Sequence, residues 1–486
     1  MLFRSMALMT LLNMAKAAVS LIVSVLVGRH IAPGDYGLVT FAIPLMALVT
    51  LLTDLGLSSA LVRHPDLTPR TQARALSFLA WLGLAAGGLL ALIATPMEAW
   101  VRLPGLTPVL LSFALVTALA IWATGPRALL EREMAYGQVS LTDGVALLMA
   151  IVAFLVLIAM QAGLAAVLAF HVVLQAVRAL GFNLQAWRRY AHAGPFSEMR
   201  PLLAIGGWVL ATNLLSFMGR NLDRLVIAPV LGATALGLYG MAYQFMTIPL
   251  VLISWPASGV LLSALSKFHG APDQRQRIVL AVVTLTALFS GPFVAAMVFV
   301  IDEPLHWFFG ERWHGLLDLI WWMAPVGAVQ SIAALAGAVL VQAGKVRENF
   351  LLGVLNASAL GLTFVLTVSH GLAHLVMAYS VVAVLVSCVM IQRMCVELGM
   401  GAGQLLRAIA PGVLAGLAVG APYLLADVAW PGQVMQWGHV LLGALFCWVL
   451  MNLLQRHAWL GAIQALSSVR ITGAGAAAAP ADGGGR

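Results

Sequence analysis

The chain has 486 residues and a formal net charge of +8, with 62% hydrophobic and only 9% charged residues. Soluble domains carry about 25% charged residues, so this composition excludes a soluble globular protein. The basic excess does not indicate nucleic-acid binding, because the basic residues fall in short segments between long apolar runs, which is a signal of membrane topology.

The apolar runs predict an all-α polytopic membrane protein with about fourteen transmembrane helices, since each run is long enough to cross the hydrocarbon core. The predicted spans are residues 7–28, 38–61, 75–95, 106–126, 140–160, 163–187, 202–231, 235–263, 278–301, 315–342, 350–369, 371–392, 408–427 and 434–455. With the N-terminus in the cytoplasm, most of the 26 Lys and Arg residues lie on the inner side, and the outer loops hold only Arg29, Arg102 and Arg312. Both termini are therefore predicted to be cytoplasmic.

A faint internal repeat divides the spans into two halves. Its first copy is Asn13, Asp35-Tyr36-Gly37 and Ile43-Pro44-Leu45, and its second is Asn213, Leu238-Tyr239-Gly240 and Ile248-Pro249-Leu250. Six spans precede the second copy, so both copies have the same orientation, as in transporters built from parallel repeats. We predict two pseudo-symmetric six-helix lobes and two extra C-terminal helices. The segments are an N-lobe in 1–196, a C-lobe in 197–400, the extra helices in 401–456 and a disordered cytoplasmic tail in 457–486.

The seventh predicted span carries charge where charge is costly. Arg220 lies roughly 16 Å from the far end of this span, near the bilayer midplane. Arg224 follows on the same face, and Asp223 can partly neutralise the two arginines. A charge at that depth costs at least ~2.5 kcal/mol on insertion scales, so it usually faces a bundle interior or a wet cavity. The net positive charge predicts an anionic transported molecule; a purely structural pairing with Asp223 is the alternative.

Four stretches carry a resemblance to a known family. Asn221-Leu-Asp-Arg-Leu-Val-Ile and Leu236-Gly-Leu-Tyr-Gly-Met-Ala-Tyr are similar to the seventh and eighth helices of the polysaccharide transporter family. Gly28-Arg-His-Ile-Ala-Pro-Gly-Asp-Tyr-Gly and Leu52-Thr-Asp-Leu-Gly-Leu-Ser-Ser-Ala-Leu-Val are similar to its first two helices. These proteins are Wzx-type flippases of lipid-linked oligosaccharides, in the superfamily that also holds multidrug exporters.

The resemblance implies a function for the chain. The expected activity is transport of polyprenyl-diphosphate-linked oligosaccharide units from the cytoplasmic to the outer leaflet, by alternating access of two lobes. This transport would supply the synthesis of a surface polysaccharide, such as O-antigen or exopolysaccharide, at the bacterial inner membrane. The expected partners are the lipid-linked substrate and membrane lipids, not nucleic acid; contact with polysaccharide assembly proteins is left open.

Three further polar residues join the two arginines as candidate substrate ligands. Lys16 lies roughly 14 Å inside the first span and shares a face with Asn13. Lys16 therefore either faces the central cavity or extends its stem to the inner interface. Asn213 is the repeat counterpart of Asn13, and an interhelical hydrogen bond would explain both asparagines equally well.

Charged residues near the inner interface have less specific interpretations. Asp54 either pairs with Arg63 or a loop arginine, or helps to lock an inner gate. Arg178 is expected to extend its side chain to the inner interface. The segment Arg127–Tyr136 is predicted to form a short amphipathic helix on the cytoplasmic leaflet. These assignments leave Asp223 as the only acid deep inside a span.

Two other functions are weighed against the flippase. A drug or cation antiporter on the same fold is disfavoured, because the first span carries Lys16 and no acid. A membrane polymerase or glycosyltransferase needs acids or bases in a sizeable outer loop. The longest outer loop, Asp302–His314, holds Asp302, Glu303 and Glu311 but is only about a dozen residues, too short to build an acceptor site alone. We therefore predict a transporter and not an enzyme; the coupling ion is left open.

No cofactor or metal site is predicted. The outer-loop histidines His30, His306 and His314 do not have the spacing of metal ligands. The three cysteines, Cys388, Cys395 and Cys447, form no C-x-x-C pair, so neither a disulfide nor structural zinc is expected.

Overall fold

The computed structural model describes residues 23, 25–54, 57–63, 68–187, 200–266, 271–429 and scattered positions within 445–460. Its helices are α1 (Pro33–Asp54), α2 (Leu57–Arg63), α3 (Pro69–Val101), α4 (Leu106–Arg132), α5 (Tyr136–Ala159), α6 (Leu164–Ala186), α7 (Arg200–Pro249), α8 (Trp255–Leu265), α9 (Pro272–Ala295), α10 (Asp302–Phe309), α11 (Leu316–Gln342), α12 (Val346–Thr367), α13 (Leu372–Glu397) and α14 (Ala402–Ala429). Lys16, Asn13 and nearly all of the predicted tail lie outside the described residues, as do most of the first and last predicted spans.

Among the residues that the structure describes, eleven helical segments are long and apolar enough to cross a membrane. One of them, Phe217–Leu262, has 46 residues and includes most of α7 and α8. At about 1.5 Å per residue this segment is roughly twice as long as the ~30 Å hydrocarbon core is thick. It is therefore long enough for two crossings, so the described residues are sufficient for twelve crossings. The prediction of an all-α polytopic membrane protein is confirmed.

The long helix α7 is interrupted at Gly232. This residue has φ 86° and ψ 174°, a backbone conformation that is essentially restricted to glycine. Asp223 and Tyr239, on either side of it, lie in hydrogen-bond contact, although sixteen residues of straight helix would span roughly 24 Å. The chain therefore reverses at Gly232, as predicted by the break between the seventh and eighth spans.

The predicted leaflet helix after the fourth span is wrong. Helix α4 continues without a break to Arg132, and α5 begins at Tyr136 after a turn in which Met134 has a φ of 57°. The Arg127 guanidinium lies 2.8 Å from the Glu131 carboxylate one turn later, and Leu129 and Leu130 between them are buried. This intrahelical ion pair and the burial of the leucines extend the spanning helix through the segment.

Side-chain caps fix the entry to two of the spans. The backbone N–H of Thr71 donates to the Thr68 hydroxyl at 3.2 Å, and Pro69 occupies the first position of α3. At the other end of α3, Glu98 accepts hydrogen bonds from the backbone N–H groups of Gly105 and Thr107, at 3.1 and 2.6 Å. A carboxylate at the first turn of α4 satisfies amides that have no partner within the helix.

Contacts divide the chain into two compact units. Unit one comprises the described parts of Met1–Met241, Phe308–His314 and Phe364–Leu375. Within it α3 and α4 pack closely, because Gly83 and Gly87 face backbone carbonyls of α4. Unit two comprises the described parts of Ala242–Trp307, Gly315–Thr363 and Val376–Arg486. Within it α9 and α14 pack closely, because Gly291 and Gly412 leave no space between the two backbones.

Candidate functional site

The charged residues of α7 have different environments. Arg220 is exposed, Arg224 is partly buried, and Asp223 is only 4% exposed. The Tyr239 hydroxyl, itself fully buried, donates a hydrogen bond of 2.8 Å to Asp223 Oδ2. Tyr239 follows Gly232 in the sequence, so this bond joins the two antiparallel halves of α7. The sequence did not predict Tyr239 as the partner of Asp223.

The structure brings Arg224 close to a second tyrosine. Arg224 lies within electrostatic reach of both Asp223 and the Tyr36 hydroxyl, which belongs to the first turn of α1. Asn213 is exposed and lies seven residues before Arg220, so Asn213, Arg220 and Arg224 follow one face of α7 at helical spacing. We call this face, with Asn213, Arg220 and Arg224, the charged face of α7. It carries all the predicted substrate ligands that the structure describes.

Asp54 lies apart from that face and has a local partner. Its carboxylate accepts hydrogen bonds from the Ser58 hydroxyl at 2.7 Å and from the Ser58 backbone N–H at 3.3 Å. Asp54 thus joins the end of α1 to the start of α2, in the manner of an N-terminal helix cap. The side chain of Arg63 is outside the described set, so pairing with Arg63 stays a prediction.

The first turns of α1 and of the second half of α7 cross in direct contact. Gly37 faces the carbonyl of Ala233, and Gly237 faces the carbonyl of Pro33; a methyl group on either glycine would overlap the opposing oxygen. We call these two segments, Pro33–Gly37 and Ala233–Gly237, the outer crossing, since both lie at the predicted outer ends of their spans. Only glycine allows the two backbones to approach this closely.

The two segments of the outer crossing are related by one constant offset in residue number. The offset that relates Pro33 to Ala233 also relates Gly37 to Gly237, and it equals the offset between Asn13 and Asn213. The sequence repeat instead paired Gly37 with Gly240. The contact supports an internal repeat. At this position the repeat has the same offset as Asn13 and Asn213, so Gly37 corresponds to Gly237.

An aromatic segment packs beside the outer crossing. Trp313 is only 1% exposed, and its indole Nε1 donates to the Gly28 carbonyl at 2.7 Å. The Trp313 ring lies 5.9 Å from that of Tyr36 and 5.7 Å from that of Phe309, measured between centroids. The segment Phe308–His314, predicted as an outer loop, therefore packs its aromatic residues against the outer ends of the first spans.

A second buried acid contradicts the prediction that Asp223 is the only one. Asp143 in α5 is 3% exposed, and its Oδ1 lies 3.0 Å from Nε of Arg178 in α6. Arg127 of α4 lies 3.9 Å from the other oxygen. The expectation that Arg178 extends to the interface is wrong, because the carboxylate holds its guanidinium within the protein. Asp143 and the two arginines lie at comparable distances from the inner ends of their helices. This similar depth could have indicated from the sequence that the three side chains meet, but it was missed.

We predict that Asp143→Asn destabilises the protein strongly. It leaves Arg178 without its counter-charge and leaves Arg127 with Glu131 alone, and breaking a buried ion pair costs about 3–5 kcal/mol. The measurement is thermal unfolding of the purified protein in detergent, together with the amount inserted in membranes. Glu131→Gln is the control, because its half-exposed pair with Arg127 contributes about 1 kcal/mol or less. Equal unfolding temperatures for the two variants would contradict the prediction.

Ion pairs also join α12 and α13 at their inner ends, within unit two. Lys345, just before α12, pairs with Glu397, and Arg393 pairs with Glu348. The hydrogen bond to Glu397 raises the pKa of the Lys345 amine. Lys345 and Arg393 are exposed, and ion pairs at the surface fix helix ends with little net stabilisation.

The charged face of α7, Tyr239 and the outer crossing all fall within residues 26–318, which match a family described as polysaccharide biosynthesis protein. This segment covers more than half of the chain. The chain belongs to this family. The resemblance expected from the sequence is confirmed, and the matched segment runs from the end of the first predicted span into α11.

Curated relatives of this chain are distant in sequence. The lipopolysaccharide biosynthesis protein WzxC of Escherichia coli (strain K12) is 22% identical over 66% of this chain and 66% of its own. The teichuronic acid biosynthesis protein TuaB of Bacillus subtilis (strain 168) is 24% identical over 61% of this chain and 62% of its own. Each match spans slightly less than two thirds of the relative's length.

Solved structures of membrane transporters share the fold. The lipid II flippase MurJ, in an inward closed conformation, superposes with a TM-score of 0.69 and 11% identity, over 93% of this chain and 98% of that one. An inward-facing multidrug resistance MATE family transporter superposes with a TM-score of 0.58 and 14% identity, over 80% of this chain and 94% of that one. At these identities the likeness concerns the fold alone.

Proposed function

We propose that this protein is a flippase of polyprenyl-diphosphate-linked oligosaccharide units, which it moves from the cytoplasmic to the outer leaflet for surface polysaccharide synthesis. The observation that carries the proposal is the charged face of α7, where Arg220 and Arg224 outnumber the single acid Asp223. Planar guanidinium groups match the geometry of phosphate oxygens and donate strong charge-assisted hydrogen bonds to them. Family membership and the MurJ-like fold support the same activity.

The proposed mechanism is alternating access. In this mechanism the outer crossing closes the outer end of the path, and it separates when the substrate leaves toward the outer leaflet. Binding energy between the diphosphate and the arginines can shift the conformational equilibrium only if it differs between the two states. No covalent bond is made or broken in this cycle, so we propose a transporter and not an enzyme.

The proposed location is the bacterial inner membrane, with both termini in the cytoplasm. The bias of Lys and Arg toward the predicted inner segments supports this orientation. The proposed partners are the lipid-linked oligosaccharide and membrane lipids. Polysaccharide assembly proteins are a further candidate, suggested by the biosynthetic names of the relatives.

A cation or drug antiporter is the second candidate, favoured only by the MATE-like fold. The buried carboxylate of Asp143 would be the natural cation site in unit one. However, Arg178 lies 3.0 Å away and Arg127 lies 3.9 Å away. Two guanidinium groups at this distance repel a bound cation. The surroundings of Asp143 therefore argue against a cation antiporter and favour the flippase.

The activity can be tested with purified protein in lipid vesicles. We expect transfer of a polyprenyl-diphosphate-linked oligosaccharide between leaflets, without formation of a glycosidic bond. The triple variant Asp302→Asn, Glu303→Gln, Glu311→Gln should transport at a rate within about twofold of wild type, since Asp302 has a local partner, His306, one turn later at 3.4 Å. Loss of activity in this variant at normal membrane levels would favour a polymerase.

A further inference from the structure

Unit two contains an apolar cavity that the proposed function does not use. The cavity has a volume of about 610 Å³ and lies between α9, α11, α13 and α14. Its lining is apolar apart from the hydroxyl of Ser290, the amide of Gln392 and the thiols of Cys388 and Cys395. An engineered apolar cavity of about 150 Å³ stays dry and takes up apolar ligands. The larger cavity in unit two is therefore suited to a hydrocarbon ligand.

The cavity is elongated along the helices. On α14 its lining extends from Ala402 to Val413, roughly 16 Å along the helix axis. Met400, in the turn between α13 and α14, lines its predicted inner end. Half of the hydrocarbon core is about 15 Å thick, so the cavity is about as long as one leaflet is deep. This length matches an acyl chain of a phospholipid, whereas a polyprenyl chain is several times longer.

The cavity opens to the surface of unit two between α13 and α14. Val396 is 61% exposed and Val413 is 52% exposed, and both line the cavity. The neighbouring exposed residues Leu385 and Leu417 are also aliphatic. Both helices contain segments that are long and apolar enough to cross a membrane. An acyl chain can therefore enter the cavity directly from the bilayer.

Basic residues lie at the predicted inner end of the cavity. There the first turns of α9 and α14 are joined by a hydrogen bond of 2.9 Å from Gln276 Nε2 to Gln404 Oε1. Arg275 and Arg277 flank Gln276 and outnumber Asp273, the acid of the same turn. Arg275 is partly buried, and its Nε and Nη2 have no hydrogen-bond acceptor in the part of the chain that the structure describes. Guanidinium groups bind phosphate oxygens, so the charge here complements an anionic headgroup.

We propose that this cavity is a binding site for an anionic phospholipid of the predicted inner leaflet. One acyl chain occupies the cavity between α13 and α14, and the phosphate lies beside the first turn of α9, where Arg275 is its partner. The chain fills space that the side chains of unit two leave empty, so the lipid stabilises this unit. The site does not depend on which molecule the protein transports.

A phosphatidylglycerol with a photoactivatable diazirine in its acyl chain tests the site. The protein is irradiated in nanodiscs that contain this lipid, and the cross-linked peptides are identified by mass spectrometry. We expect adducts within residues 388–413. Ala328→Phe adds an aromatic ring to the cavity lining from α11. It should lower the yield at least about tenfold, since a factor of ten requires the loss of only about two buried methylene groups. Ala410→Phe, at an exposed position of α14 that does not line the cavity, is the matched control and should leave the yield unchanged.

The headgroup is tested with a phosphatidylcholine that carries the same diazirine chain. Wild-type protein should give about tenfold more adduct with phosphatidylglycerol, as expected for one hydrogen bond between charged groups. Arg275→Gln should remove this preference. Arg347→Gln is the control, because Arg347 is exposed at the predicted inner end of α12, a helix that does not line the cavity. An equal yield from both lipids in wild-type protein would overturn the anionic site.

Two further outcomes would contradict the proposal. Equal yields from wild type and Ala328→Phe would mean that phospholipids only surround the protein. The second outcome comes from competition in wild-type protein, which decides even when Ala328→Phe does not accumulate. We expect excess unlabelled phosphatidylglycerol to remove the adducts. Removal by undecaprenyl phosphate but not by phosphatidylglycerol would show that the cavity holds a polyprenyl chain, and the proposal would be wrong.

Discussion

Replacing Arg220 with alanine should abolish flipping of the lipid-linked oligosaccharide while leaving the amount of inserted protein unchanged. Arg220 is the exposed member of the two arginines on the charged face, so its guanidinium is accessible to an anion in the path. Its removal leaves Asp223 and Arg224 as a pair of no net charge. A diphosphate would then meet no excess of positive charge, and we expect transport to fall at least about 100-fold.

The conservative change separates charge from geometry. Arg220→Lys keeps the positive charge but loses the planar fork that donates two parallel hydrogen bonds, so transport should be impaired but not abolished. Arg407→Ala, which removes an exposed arginine near the start of α14, is the control and should transport normally. The vesicle assay measures all three variants.

A structural role for Arg220 predicts a different pattern. In that case Arg220→Ala would fail to accumulate in the membrane, because Asp223 would lose a counter-charge in a low-dielectric interior. Adding Asp223→Ala would then restore both the protein level and transport. That result would show that the charges serve folding, and the assignment of the substrate site to α7 would be wrong.

The span count was predictable because it depends on properties local to each segment. The length of an apolar run and the positions of Gly232 and the loop arginines are visible without knowing which helices touch. The continuation of α4 past Arg127 was not predictable, because it depends on the ion pair of Arg127 with Glu131 and on the burial of the leucines between them. A helix on the leaflet surface and the inner end of a spanning helix have the same amphipathic pattern, so the sequence does not distinguish them.

The site was predictable only in part, for the same reason. The depth of Arg220, Asp223 and Arg224 follows from counting residues along one helix. The partners of a charge depend on other helices: Asp143 receives two arginines from α4 and α6, and Asp223 receives a hydroxyl from beyond Gly232. Asp54 shows the opposite case, since Ser58 lies four residues away and was visible in the sequence.

The outer crossing allows alternating access to be tested with a single covalent bond. A β-carbon added to Gly34 would lie 3.3 Å from the Thr234 hydroxyl oxygen, and these two residues are related by the same offset as Gly37 and Gly237. The β-carbons of a disulfide are about 3.5–4.5 Å apart. The Thr234 hydroxyl oxygen occupies the γ position that a cysteine sulfur would take, so cysteines at positions 34 and 234 are within reach of a disulfide.

Oxidation of the variant Gly34→Cys, Thr234→Cys should stop transport, and a reductant should restore it. The background protein should have Cys388, Cys395 and Cys447 replaced by serine, so that no other disulfide can form. Each single-cysteine variant, and the size-matched pair Gly34→Ala, Thr234→Ala, should remain active under both conditions. These controls distinguish the covalent bond from the effect of the side chains.

We expect a complete loss, because the two backbones of the outer crossing are already in direct contact. Gly37 and Gly237 lie against opposing backbone carbonyls, and a disulfide beside them would hold the two segments in this contact. A disulfide holds β-carbons within about 1 Å of one distance. A substrate as wide as an oligosaccharide cannot pass such a contact. Cross-linked protein that still flips its substrate at the wild-type rate would mean that the path to the outer leaflet opens elsewhere in the molecule.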